Sequence, residues 1–135
     1  MEILREQIKS HEGLRLKPYR CPTGFLTIGH GRNLEAVGIS VSEAEMLLRT
    51  DIARAVDGFC QLPIKVIKAC GIVQKRVLVE MIFNMGLKGV MRFQKMLAAI
   101  EKGHFHVAAE EMLDSKWAEQ CGSRVSLLAE QMREG

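Results

Sequence analysis

The run from Ile64 to Gly86, IKVIKACGIVQKRVLVEMIFNMG, constrains the fold more than any other part of the chain. Its apolar side chains recur three and four residues apart, the spacing of an α-helix, but they are too numerous for a single face. A helix that is apolar on more than one side is a buried helix. The side chains predicted to be buried are Ile72, Val73, Val77, Leu78, Met81, Ile82 and Met85. The run therefore predicts the core of a helical lobe.

Helical patterns continue on both sides of this run. Apolar residues at helical spacing begin the chain and stop at Gly13, a residue type that favours a left-handed helix end. Ser40 and Glu43 form a capping box ahead of an amphipathic helix of roughly 15 residues. Further helices are predicted at Met91–Lys102, Phe105–Asp114 and Ser123–Glu134. Most of the chain after residue 40 is thus expected to be helical.

Residues 14–34 have a different composition. Prolines and glycines are mixed there with β-forming residues such as Tyr19, Phe25 and Ile28, which predicts a small antiparallel sheet. The whole chain, 1–135, is then an α+β fold in one domain. We expect a sheet lobe at about 13–58 and a helical lobe at about 60–135 that also includes the N-terminal helix, 1–12.

Charge is unevenly distributed although the net charge is only +3. Residues 60–105 carry eight Lys and Arg against two Glu, a net charge of +6. These cations are spaced among apolar residues and lack interleaved aromatic rings, so solvated helix faces are favoured and no nucleic-acid partner is expected.

The first residues mix acids with bases, which fits neither a signal peptide nor a membrane span. We expect synthesis in the cytoplasm and no membrane insertion.

Four cysteines stand singly, at Cys21, Cys60, Cys70 and Cys121. A chain of this length does not need disulfide bonds in order to fold, and no close pair is spaced to clamp a metal ion. The cysteines are therefore predicted to be reduced thiols. Neither a metal nor a cofactor is implied.

One spacing in the opening stretch carries chemistry: Glu12, eight residues, Cys21, five residues, Thr27. A carboxylic acid at a helix end, a thiol in a loop and a hydroxyl on a strand converge if the sheet folds back over the helix. Such a spacing is weak evidence by itself.

The surrounding stretch, HEGLRLKPYRCPTGFLTIGHGRN, resembles the active-site segment of phage-type lysozymes, a muramidase family that includes the T-even phage enzyme. The family pattern is Glu, eight residues, Asp or Cys, five residues, Thr. The likeness continues through GISVSEAEMLLRTDIARAV, through FNMG at residues 83–86 and through the W-x-x-Q-x-x-x-R spacing. It implies a lysozyme-like fold with the substrate cleft between the two lobes. It also implies hydrolysis of the β-1,4 bond between N-acetylmuramic acid and N-acetylglucosamine in peptidoglycan.

The resemblance assigns roles to the three polar residues. Glycoside hydrolysis needs an acid that protonates the departing oxygen, and Glu12 takes that role. Cys21 stands where many relatives have Asp, and three readings of it remain open: a thiolate base, a covalent nucleophile, or a group that holds water. We favour the base because of the position of Cys21 in the family pattern, and the nearby cations Arg20, Arg15 and Lys17 are of the kind that lowers the pKa of a thiol. Thr27 is expected to orient the attacking water or a sugar hydroxyl.

Further residues are assigned as substrate-binding or supporting by the same resemblance. In relatives the counterpart of Arg124 reaches the catalytic glutamate, and that of Asn84 lies on the cleft floor. Trp117 and Gln120 belong to the same motif. His30 departs from the usual family pattern, and His30 or Arg32 is expected to support the sheet lobe.

Two other functions stay open on the sequence. A lytic transglycosylase would use Glu12 alone and form an anhydro-sugar, and a non-catalytic peptidoglycan-binding relative would retain only the cleft. For a lysozyme, the family implies a monomer that acts on the cell wall after a partner such as a holin has permeabilised the membrane.

Overall fold

The computed structural model of the chain describes residues 1–134. Two compact units are present, Met1–Leu47 and Leu48–Gly135. Seven helices and one three-stranded sheet make up the described part, so the predicted α+β class is confirmed. The boundary between the units falls within α2 (Val41–Phe59). The predicted lobe limits, with the N-terminal helix in the helical lobe, stay a prediction.

The first unit begins with helix α1 (Glu2–Glu12), which ends where the sequence predicts. Gly13 follows it with a φ of 74°, and the Gly13 N–H donates to the carbonyl of Lys9. A positive φ is costly for residues with a side chain, so glycine is favoured at this helix end. Glu12 is therefore the last helical residue before the chain turns into the sheet.

The predicted sheet contains β1 (Arg15–Arg20), β2 (Leu26–Gly29) and β3 (Arg32–Asn33), in the order β1-β2-β3 and antiparallel throughout. β1 pairs Tyr19 with Thr27, and its register is irregular between Arg15 and Tyr19. Pro18 lies in that irregular part, where its missing N–H costs little because β1 is an edge strand.

Helix α2 begins with the predicted capping box, which is confirmed. The Ser40 backbone N–H donates to Oε1 of Glu43 at 2.9 Å, and the Glu43 backbone N–H donates to Oγ of Ser40 at 3.1 Å. These two bonds satisfy donors that the start of a helix leaves without intrahelical partners.

The second unit contains the rest of α2 and helices α3 (Ile64–Ala69), α4 (Ile72–Met91), α5 (Gln94–Glu101), α6 (Phe105–Leu113) and α7 (Lys116–Arg133). One predicted boundary was wrong, since the helix predicted from Met91 begins at Gln94. Helix α7 begins at Lys116, where Ser115 caps it by accepting from the Ala118 N–H at 3.1 Å, and a kink at Cys121 and Gly122 separates this first part from the segment predicted from Ser123. None of the helices within residues 1–134 is both long enough and apolar enough to cross a lipid bilayer.

Part of the run predicted to be buried lies in the core of the second unit, together with side chains of α2, α5, α6 and α7. Val73 and Met85, also predicted to be buried, are only partly so. Val77, Leu78 and Met81 of α4 have no exposed surface, and Ile82 is buried beside them. The prediction was wrong for Ile72, whose side chain is exposed, because α4 starts only at this residue and no preceding turn of the helix covers it. Gln74 is buried in the same turn and is satisfied by the Gly71 N–H and by the carbonyl of Met132.

Candidate active site

The turn between β1 and β2 places Cys21 beside the start of β2. The Cys21 N–H donates to the carbonyl of Phe25 at 3.0 Å, and the Gly24 N–H donates to the carbonyl of Cys21 at 2.8 Å. Gly24 has a φ of 90°, a conformation that side chains disfavour, so glycine suits this turn. The sequence CPTG thus encodes a tight turn that holds the thiol.

Thr27 lies on the same sheet face as Tyr19, since the two are paired across β1 and β2. Alternate residues along a strand share a face, so the chain continues from Tyr19 to Cys21 on the side of Thr27. Thr27 is only 3% exposed, and its hydroxyl donates to the carbonyl of Phe25 at 2.8 Å.

The sulfur of Cys21 lies among polar groups. Its Sγ is 3.1 Å from Oγ1 of Thr23. The pKa of the Cys21 thiol is lowered to about 7, chiefly by the Thr23 hydroxyl, with smaller contributions from the backbone of Phe25 and Thr23 and from the Thr27 hydroxyl, against the opposing effect of burial. About half of this thiol is therefore ionised at neutral pH. The expected cause was wrong: hydroxyl and N–H donors, rather than neighbouring cations, lower the pKa.

Arg20, the cation adjacent in sequence, is engaged elsewhere. Its Nη1 donates to Oε1 of Glu35 at 2.9 Å and to the carbonyl of Gly24 at 3.2 Å. Arg15 lies over the ring of Tyr19, with its Cζ atom 4.8 Å from the ring centroid. Arg20 thus braces the turn that carries Cys21, which is a structural contribution that the motif alone does not predict.

Glu12 lies against the turn that follows β2. A Cβ atom added to Gly31 would stand 2.8 Å from Oε2 and 2.9 Å from Cδ of Glu12, closer than real contacts allow. Nδ1 of His30 donates to the carbonyl of Gly13 at 2.6 Å, so the turn is bonded to the end of α1. Glu12 therefore lies near one end of β2. The backbone of Cys21 is hydrogen-bonded near the other end.

His30 and Arg32 both make structural contacts within the first unit. Arg32 forms a two-pronged ion pair with Glu43, with Nη1–Oε1 and Nη2–Oε2 distances of 2.6 Å, and it also donates to the carbonyl of Gly38 at 3.2 Å. The Arg32 guanidinium and then the Ser40 N–H lower the pKa of Glu43 to about 2. This pair joins β3 to the capping box of α2.

Two of the predicted supporting residues meet in the second unit. Nε1 of Trp117 donates to Oδ1 of Asn84 at 2.7 Å, and the ring of Phe93 packs edge-on against Trp117 with centroids 6.2 Å apart. The amide of Asn84 is thus held by the indole. Gln120 is exposed one turn further along α7.

Asn84 and Arg124 line a groove of about 670 Å³ whose other walls are mainly apolar side chains of α2 and α4. Arg124 follows the kink at Cys121 and Gly122, where the backbone leaves helical geometry. The predicted contact between Arg124 and Glu12 stays a prediction.

All four cysteines are free thiols, and within residues 1–134 no group of three or more His, Cys, Asp or Glu side chains is placed to hold a metal ion. Sequence reasoning missed two residues that shape it, Thr23 and Gly31. The signals for them were the CPTG turn and the second glycine of GHG.

The sequence model of the family described as phage lysozyme matches residues 9–134, which include every residue of this site. The chain belongs to the phage lysozyme family. Curated relatives include "Endolysin" of Bacillus phage B103, 38% identical over 85% of this chain and 44% of the relative, and "Endolysin" of Acyrthosiphon pisum secondary endosymbiont phage 1, 32% identical over 89% and 82%. "Probable T4-type lysozyme 1" of Dictyostelium discoideum is 28% identical over 90% of this chain and 88% of its own length.

Proposed function

We propose that this phage lysozyme is an endolysin that hydrolyses the β-1,4 bond between N-acetylmuramic acid and N-acetylglucosamine in peptidoglycan. The observation that carries the proposal is the arrangement around β2, with the carboxylate of Glu12 against the turn at one end, Cys21 bonded at the other, and buried Thr27 on the strand. The family match and the endolysin names of two relatives support the substrate.

In this proposal Glu12 acts first as the general acid. It transfers its proton to the glycosidic oxygen as the bond from C1 to that oxygen breaks, because an alkoxide is a poor leaving group at neutral pH. The electron pair of the bond stays with the departing sugar hydroxyl. Positive charge develops at C1, and Glu12 is left as a carboxylate.

Cys21 and Thr27 handle the attacking water. The thiolate of Cys21 accepts one proton from the water while the water oxygen bonds to C1, and an oxygen lone pair of Thr27 accepts the other water proton as a hydrogen bond. The sulfur finishes as a thiol, and solvent exchange restores the starting protonation of both groups. A thiol with a pKa of about 7 suits this role, since a base is most effective with a pKa near the working pH.

We further propose that water attacks directly, with inversion at C1. Inverting glycosidases separate their two groups widely enough to admit a water, whereas retaining enzymes form a covalent intermediate. Direct attack is favoured here because the covalent alternative would be a thioglycoside, whose hydrolysis would be slow.

Other residues are proposed to support binding rather than chemistry. Asn84 and Arg124 contribute polar groups to the groove on α4 and α7, Trp117 holds Asn84, and exposed Gln120 lies near it in sequence. His30 fixes the turn that carries Gly31. We propose that the enzyme works as a monomer, without a cofactor, and meets the wall once a holin-type partner has opened the membrane.

Loss of turbidity of purified walls, measured for four variants, tests the assignment. Glu12→Gln removes the acid while retaining its shape, and Cys21→Ala and Cys21→Ser remove the thiolate while Cys21→Asp supplies a carboxylate. We expect the rate of wall hydrolysis to fall about 10²–10⁴-fold in Glu12→Gln, Cys21→Ala and Cys21→Ser, and Cys21→Asp to retain substantial activity. Full activity of Cys21→Ala would remove Cys21 from the mechanism. Wall binding without turbidity loss by the wild type would instead indicate a non-catalytic relative.

A further inference from the structure

The Thr23 hydroxyl faces the sulfur of Cys21 across the β1–β2 turn, at 3.1 Å. Thr23 lies outside the family pattern of Glu, Cys and Thr, and its side chain is exposed. Its hydroxyl nevertheless lies within hydrogen-bonding distance of the sulfur and is the leading cause of the lowered pKa of the thiol.

A count of protons separates the roles of the two threonines. Each hydroxyl has one proton to donate and two lone pairs to accept with. Thr27 donates its proton to the carbonyl of Phe25 at 2.8 Å, which agrees with its contribution to the pKa of Cys21 being smaller than that of Thr23. A thiolate has no proton to donate, so the hydroxyl of Thr23 must be the donor in its contact with ionised Cys21.

We propose that Thr23 is a positioning residue that donates to the Cys21 thiolate and holds it in place, leaving the lone pairs of Thr27 free to accept from the attacking water. This inference rests on the proposed function for its catalytic consequence. Its structural part, the bond from Thr23 to the sulfur, can be measured without any substrate.

Hydrogen bonds within the turn hold the Thr23 donor near the sulfur. The Gly24 N–H bonds to the carbonyl of Cys21, and Nη1 of Arg20 bonds to the carbonyl of Gly24 while pairing with Glu35. Two bonds therefore fix the backbone on either side of Thr23. The Thr23 hydroxyl then lies 3.1 Å from the sulfur without further rearrangement.

Charged groups near the turn do not account for the state of the thiol. Arg20 is paired with Glu35, and Arg15 lies over the ring of Tyr19. The causes that lower the pKa of Cys21 are hydroxyl and backbone donors, and burial opposes them. Removing the Thr23 hydroxyl should thus change the pKa of the Cys21 thiol more than removing a nearby cation would.

The test is the pH dependence of alkylation at Cys21 by iodoacetamide, followed by peptide mapping so that the other three cysteines are counted separately. The wild-type midpoint is expected at about 7. Thr23→Val removes the hydroxyl at nearly constant volume and should move the midpoint toward the ordinary thiol value of about 8.5. Thr23→Ser should restore the wild-type midpoint, and Thr27→Val should change it less than Thr23→Val does. An unchanged midpoint in Thr23→Val would overturn the proposal.

The ratio of variant to wild-type wall hydrolysis across pH gives the second readout. If the midpoint of Thr23→Val moves from about 7 to about 8.5, the ratio should be roughly one thirtieth at pH 6 and roughly one sixteenth at pH 7, and it should rise to about one half at pH 8.5 as the thiol of the variant ionises. A ratio that is equally low at every pH would show a merely structural role and overturn the catalytic part. If the wild type fails to hydrolyse walls, the proposed function fails, while the alkylation midpoint still decides whether Thr23 holds the sulfur.

Discussion

Replacing Gly31 by alanine should impair activity far more than stability, because of where the new methyl group would stand. It would lie 2.8 Å from Oε2 and 3.1 Å from Cγ of Glu12, whereas ordinary contacts begin at 3.4 Å. The carboxylate must then move by about 0.6 Å or more. It can do so cheaply, since it is the end of a flexible side chain, so the protein is expected to fold. A displacement of about 1 Å in a reacting group costs on the order of 10²-fold in rate, and we expect a loss of at least roughly ten-fold.

Gly38→Ala is the matched control. Gly38 has a φ of 64° and Gly31 a φ of 85°, so both variants force a side chain into the left-handed region at about 1–2 kcal/mol. A Cβ on Gly38 would meet only the carbonyl oxygen of Leu34, at 4.0 Å. The two variants should therefore lose similar thermal stability.

Wall turbidity measured well below both melting temperatures separates the two effects. Gly38→Ala should retain nearly full activity, and Gly31→Ala should not. Equal activity in the two variants would refute the inference that Gly31 positions Glu12. Equal and severe loss would show that backbone strain, rather than the carboxylate, determines the rate.

Two further predictions concern interactions that support the site. Because Arg32 lowers the pKa of Glu43 to about 2, the pair contributes stability that is fully present above the ordinary carboxyl value of 4.5 and is lost as the pH falls toward 2. Urea unfolding of Arg32→Met should show a weaker dependence on pH between 4.5 and 2 than the wild type, and an unchanged dependence would contradict the ion pair. Trp117→Phe should cost about 1 kcal/mol through its lost bond to Asn84. In a double-mutant cycle with Asn84→Ala the two losses should not add, and additivity within 0.3 kcal/mol would contradict the contact.

The predictable parts of the fold are those in which a local signal and the tertiary structure agree. Gly13 ends α1, and the Ser40–Glu43 box begins α2, because each depends on contacts within four residues. The break between α3 and α4 was hidden because Cys70 and Gly71 lie within a continuous apolar pattern. The early start of α7 at Lys116 depends on a single serine cap.

For the candidate site the sequence proposes members but no contacts. The motif names Glu12, Cys21 and Thr27 by their spacing along the chain, which gives no distances between them, and their catalytic roles stay a prediction. The contact between Thr23 and the sulfur, and that between Gly31 and Glu12, arise where turns bring side chains together. Neither follows from helical or strand periodicity, so the sequence could not assign the cause of the low thiol pKa.

The stereochemistry of the fresh product tests the account most directly. A uniform peptidoglycan fragment is digested, and the new reducing end is observed by proton NMR before the anomers equilibrate. Attack by a water that Cys21 deprotonates and Thr27 orients, opposite the bond that Glu12 protonates, predicts the α-anomer from a β-linked substrate. An initial β-anomer, or an anhydro product lighter by one water, would contradict it.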